Sequence, residues 1–164
     1  MSFFRFISKI LFMVFLFTKS STSFSETVSV KGLVFSDFRI NKVIANNKTT
    51  SGYLTIENTN KNSERLVYVE SNFSEKTELH NMIVKNDIMK MKHMDEGVII
   101  KANSKLTFKP GSYHIMFIKL LKPLHINNKY EVRFMFQNAG SILLKIPVKG
   151  RITNPEEKKA HHHH

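Results

Sequence analysis

No cysteine occurs in this 164-residue chain. That absence excludes disulfides, a thiolate nucleophile and any thiolate metal site, so stability must come from packing. No G-x-S-x-G, H-E-x-x-H or paired-carboxylate arrangement is present, and the acidic residues are scattered; both facts argue against hydrolase chemistry, and the chain is read as a non-enzyme. Long helical periodicity is missing, and no proline-rich or glycine-rich linker divides residues 26–150. The formal net charge is +12, but the lysines form no run and no arginine-rich stripe, which argues against nucleic-acid binding.

What is present begins with a leader. "MSFFRFISKI" carries Arg5 and Lys9, Ile10 to Phe17 ("ILFMVFLF") is unbroken apolar, and Ser23 and Ser25 supply the small residues a signal peptidase reads. The apolar run is shorter than the roughly 20 residues of a spanning helix. Residues 1–25 are therefore expected to be a cleaved signal peptide rather than a retained anchor. The mature protein would start at Glu26, be periplasmic, and have no stable membrane insertion. Loss of Arg5, Lys9 and Lys19 takes the charge from +12 to +9, which suits solubility and docking to acidic partners. Removing 25 of 164 residues leaves 139, one ordinary domain and an expected monomer.

Residues 26–150 read as short β-type runs: "SVKGLVFSDFRI", "SGYLTIEN", "RLVYVES", "TELHNMI", "GVIIKA", "KLTFK", "YHIMFIKLL", "YEVRFMFQ" and "ILLKIPVK". The breakers between them include "NTNKNS", "EG", "KPGS", "KPLHINNK" and "NAGS". This spacing predicts an all-β fold, a single antiparallel sandwich. Residues 151–164, "RITNPEEKKAHHHH", lack apolar residues to bury and read as a flexible tail. Its four histidines are fewer than the usual tag carries and follow a chain that keeps its leader, so the tail is read as native rather than a purification remnant.

"LHNMIVKNDIMKMKHM" (Leu79 to Met94) gathers four methionines and two histidines, and "YHIM" follows some twenty residues later. Alternate residues of a strand share a face. That rule pairs His114 with Met116 and His80 with Met82, and groups Met89, Met91 and His93. A core face would favour Ile, Leu and Val, although methionine also fills irregular cores. Thioether sulfur is soft and discriminates against Ca²⁺ and Mg²⁺, is a poor ligand for structural zinc, and suits Cu(I). Thioethers form no disulfides, so Met and His are a cysteine-free way to hold Cu(I) in an oxidising compartment.

"GYLTIENTNKNSERLVYVESNFSEKTELHNM", "MKM" and "FKPGSYHIMFIKLLKPL" resemble the periplasmic CuA-site copper chaperone family (PCuAC-like proteins), over nearly all of Val28 to Val148. That family's pattern is His, ten residues, Met, about twenty-two residues, then His-x-Met. Here His80 is followed after ten residues by Met91, and after twenty-two more by His114 and Met116. The resemblance implies a cupredoxin-like sandwich binding one Cu(I) through His80, Met91, His114 and Met116. It also implies delivery towards the CuA site of cytochrome c oxidase subunit II, alongside a thioredoxin-like copper chaperone. Met82, Met89, His93 and Met94 stand outside the pattern; Met82 is an alternative ligand or a neighbour, and Met89 and Met94 would shield the metal. His125, in "KPLHINN", is expected at the surface. His161 to His164 would add a harder site suited to Cu(II). A β-sandwich also admits two rival readings. A blue-copper electron carrier is excluded because it needs a cysteine thiolate. An exported interaction or adhesion sandwich, with incidental Met and His, is separated from the chaperone reading by metal titration.

Overall fold

Strict alternation builds the hairpin of β10 (Lys129–Phe136) and β11 (Gly140–Lys149). Val132, Phe134 and Phe136 of one strand and Ile142, Leu144, Ile146 and Val148 of the other are buried, while Glu131, Arg133, Leu143 and Lys145 between them face solvent. The computed structural model describes residues 26–44, 46–85 and 88–152. The expected signal peptide lies outside the described residues, as does the expected tail apart from Arg151 and Ile152.

Nine further strands complete the fold: β1 (Val28–Val30), β2 (Leu33–Asn41), β3 (Thr49–Asn58), β4 (Glu64–Ser71), β5 (Ser74–Lys85), β6 (Ile88–His93), β7 (Val98–Ile100), β8 (Ser104–Phe108) and β9 (His114–Leu120). Among the described residues there is no helix. The hydrogen-bonded order is β6-β5-β9-β3-β2-β11-β10-β4-β7, with β1 on β2 and β8 on β3.

Every pairing is antiparallel except one. β11 meets β2 in parallel over two positions, Val148 opposite Ile40 and Lys149 opposite Asn41. This short contact is the seam at which the strand path passes from one layer to the other. Across the sandwich, Phe35 of β2 packs on Phe134 and Phe136 of β10, each at 6.0 Å between ring centroids. At the corner between β4 and β5, Phe73 packs on Phe117 at 4.9 Å and on Tyr130 at 5.5 Å. Burying these rings and their aliphatic neighbours supplies the packing that a cysteine-free chain needs.

A buried carboxylate ties the start of β4 to the turn between β10 and β11. Glu64, at the start of β4, accepts from the backbone N–H groups of Arg65, Asn138 and Ala139 and from the Asn138 amide. Burial works against its charge, yet these donors hold its pKa below the ordinary carboxylate range.

In the first layer the same alternation fixes the site. Leu79, Ile115 and Phe117 point into the core, so their neighbours His80, His114 and Met116 point to the opposite face. Gly52 of β3 lies opposite Ile115, and a Cβ there would come within 2.8 Å of the Phe117 ring. The missing side chain lets Phe117 pack directly behind the His-Met strand.

Candidate metal centre

Three strands bring the sulfur and imidazole residues onto one face. Directly opposite residues of an antiparallel pair share a face. Across β5 and β9, His80 stands opposite His114 and Glu78 opposite Met116. Across β5 and β6, His80 stands opposite His93, Met82 opposite Met91 and Val84 opposite Met89. The three patches inferred from alternation are therefore one patch.

The four residues of the His–Met pattern fall inside it. His80 Nδ1 lies 2.8 Å from the Met91 sulfur. The His80 and His114 rings meet edge to face with centroids 5.6 Å apart. Met116, half-buried, is flanked by Glu78 of β5 and Ser51 of β3. His80 and His114 are only 8% and 6% exposed, whereas Met91 is 52% exposed on the edge strand β6. The set thus has two buried nitrogen anchors and one accessible sulfur.

Hydrogen bonding fixes which ring nitrogens are available. The Ser112 carbonyl accepts from His114 Nδ1 at 2.9 Å, which leaves Nε2 with the lone pair. Burial pushes the His114 pKa down, with the nearby His80 acting in the same direction, so this imidazole is neutral and able to ligate. Glu78 is held ionised by its ion pair with Lys76, against burial, and by its bond to His80. An ionised carboxylate only accepts, so His80 Nε2, 2.7 Å from Glu78 Oε2, carries the proton. In the neutral ring His80 Nδ1 then carries the lone pair, and it is the nitrogen that faces the Met91 sulfur. Two electron-pair donors brought together in this way suit a cation.

A groove of about 480 Å³ opens beside the cluster. Met82, Met89, Met91, His114 and Met116 line it together with Asn41, Ser51 and Tyr53 of β2 and β3, and with Lys42, Arg151 and Ile152. The Asn41 side chain donates to the Ile152 carbonyl and accepts from its N–H, each at 3.2 Å, so the first two residues of the expected tail border this groove.

The residues outside the pattern separate. Met82 and Met89 stand by the site, but Met94 packs against the hydrophobic core, and its N–H donates to the Leu79 carbonyl. Met94 is thus a packing residue, not the metal shield expected of it. His125 is exposed. Glu78 and His93 were not assigned a role from sequence, although Glu78-x-His80-x-Met82 already puts the carboxylate on the His80 face. His161 to His164 lie outside the described residues.

Comparison with known proteins bears on the fold. A family model described as lipoprotein LpqE-like matches residues 33–148. The uncharacterized protein RP573 of Rickettsia prowazekii (strain Madrid E) is 29% identical over 106 residues, which are 65% of this chain and 58% of that protein. The chain thus spans less than two thirds of that relative's length. The copper-bound PCuAC domain from PmoF2 is similar with a TM-score of 0.65 at 15% identity, over 77% of this chain and 99% of that one. The solution structure of CuI-DR1885 from Deinococcus radiodurans is similar with a TM-score of 0.57 at 20% identity, over 80% of this chain and 84% of that one. At these identities the likeness establishes the fold, the cupredoxin-like sandwich of PCuAC domains expected from the sequence.

Proposed function

The chain belongs to the LpqE-like family, and from that membership and the His–Met cluster we propose that it is an exported Cu(I) metallochaperone. The observation that carries the reading is the pairing of two buried imidazoles with methionine sulfur on one sheet face. His80 and Met91 are in contact at 2.8 Å, and His114 and Met116 stand on the neighbouring strand. The structural neighbours include a copper-bound domain and a Cu(I) form, which supports the same choice of ion. The cargo would be one Cu(I), bound through His80, Met91, His114 and Met116, the set that soft thioethers and neutral imidazoles suit.

Release follows from the gradient of exposure. His80 and His114 are anchors shut away from solvent, while Met91 sits on the edge strand within reach of a partner. An incoming thiolate or imidazole would displace Met91 first, then Met116, and the imidazoles last. This is transfer by ligand exchange without catalysis, so the protein is a carrier and not an enzyme. The exposed Ile83, Val84 and Ile88 on the β5–β6 hairpin, with Lys90 and Lys92 beside them, give an apolar and basic docking surface. The recipient is proposed to be the CuA site of cytochrome c oxidase subunit II, with a thioredoxin-like copper chaperone acting alongside. Residues 1–25 are the proposed export signal. His161 to His164 are proposed as a separate Cu(II) site.

Competition against a Cu(I) chelator under reducing conditions tests the ligand set. Met91→Leu and Met116→Leu keep size and apolarity, so folding should change by less than about 1.5 kcal/mol. Cu(I) affinity should nevertheless fall well beyond error. Met94→Leu, at a position packed against the core and away from the groove, should leave affinity unchanged. Parent-like Cu(I) binding by both Met91→Leu and Met116→Leu, with the fold intact, would remove the proposal. Such an outcome would favour the adhesion-domain reading.

A further inference from the structure

The Cu(I) set uses one nitrogen of His80, and the other nitrogen faces a different kind of donor. Glu78, His80 and His93 each offer one ligand atom, and the three atoms lie within 4.8 Å of one another. The arrangement is built by register: Glu78 and His80 are alternate residues of β5, and His93 is directly opposite His80 on β6. The His80 and His93 rings meet edge to face at 5.4 Å. Neighbours orient both outer members. Lys76 pairs with Glu78 Oε1, and Asp95 Oδ1 lies 2.8 Å from His93 Nδ1.

We infer that Glu78, His80 and His93 form a second metal site, selective for a divalent ion of the Cu(II) and Zn(II) class, which shares His80 with the thioether set. Two imidazoles and a carboxylate suit borderline divalent ions, and thioethers are absent from this trio. Ca²⁺ and Mg²⁺, which want six or more oxygens, would find only one carboxylate. The sharing has a chemical consequence. A neutral imidazole has one lone pair and one N–H. With His80 Nδ1 turned to sulfur, its Nε2–H is spent on Glu78. A divalent ion held with Glu78 takes Nε2 instead, and the proton then resides on Nδ1, facing the Met91 sulfur. As a neutral imidazole, His80 therefore serves one set at a time, and the two ions compete although most of their ligands differ. In an oxidising compartment such a site would accept copper in its divalent form beside the place where Cu(I) is kept.

The test uses the full-length chain carrying His161→Ser, His162→Ser, His163→Ser and His164→Ser, which removes the terminal histidines as a background. Zn²⁺ is the probe, because it has no redox chemistry, and binding is read by competition with a chromophoric chelator. Glu78→Gln and His93→Gln should each weaken Zn²⁺ binding by about tenfold or more. Preloading with Cu(I) should weaken it in the parent chain. Circular dichroism checks that each variant is folded, and His93, with a side chain 43% exposed, tolerates replacement even if Glu78 does not. Zn²⁺ affinity within twofold of the parent in either folded variant would overturn the three-residue site, and independent binding of Zn²⁺ and Cu(I) would overturn the sharing. The inference rests on the Cu(I) reading only for that competition. Failure of Cu(I) binding to respond to Met91→Leu and Met116→Leu would sink that reading and leave the Zn²⁺ result for Glu78→Gln and His93→Gln standing.

Discussion

His80 and His114 stand directly opposite one another on β5 and β9, with ring planes at 88° and both residues buried. Burial keeps water from competing with them, and fixed partners, Glu78 and Ser112, engage one nitrogen of each ring. The two imidazoles are thus set in place before any ion arrives, which lowers the ordering cost of binding.

His114→Ala should therefore weaken Cu(I) binding more than Met91→Leu or Met116→Leu does, because it removes a positioned nitrogen and opens the cluster to water. Chelator competition on the three variants gives the ranking. An affinity for His114→Ala equal to the parent's would mean that this imidazole is not a ligand.

The exposure of Met91 predicts a kinetic difference between the two thioethers. Transfer of Cu(I) to a small thiol acceptor should be faster from Met91→Leu than from the parent, by about tenfold for each 1.4 kcal/mol of binding lost at that ligand. Stopped-flow transfer measures it. A parent-like rate would place the point of entry elsewhere on the cluster.

Away from the site, Glu64 makes stability depend on pH. Its folded-state pKa is lowered, so its contribution is fully present above the ordinary carboxylate range and is lost as pH falls through the folded-state value. Urea midpoints should fall on acidification below that range. Glu64→Gln should cost about 1–3 kcal/mol at neutral pH, since its amide N–H₂ would confront backbone donors, and should flatten the acid limb. An unchanged limb in Glu64→Gln would assign the acid sensitivity to other carboxylates.

Much of this arrangement was legible because strands have period two. His114-x-Met116 next to Ile115-x-Phe117 announces a strand with one core face and one chemical face. Register was less legible. Nothing in "LHNMIVKNDIMKMKHM" alone says that His80 meets His93 or that Met82 meets Met91, because pairing depends on where the chain reverses. "SVKGLVFSDFRI" reads as one run, yet β1 and β2 are separate strands, because Lys31 and Gly32 both take positive φ (52° and 74°) and reverse the chain. The parallel seam of β2 with β11 and the hold of Asn41 on Ile152 join residues more than a hundred positions apart. Local pattern carries no trace of such contacts. Met94 misled for a related reason: it is one residue past the end of β6 and turns to the core instead of joining Met89 and Met91.

X-ray absorption on the Cu(I)-loaded protein tests the central claim most directly, because it counts donor atoms around the ion. Binding through His80, Met91, His114 and Met116 predicts about two nitrogen and two sulfur neighbours, with one sulfur lost in Met116→Leu. A shell of nitrogen and oxygen alone, or a sulfur count untouched by both Met91→Leu and Met116→Leu, would contradict it.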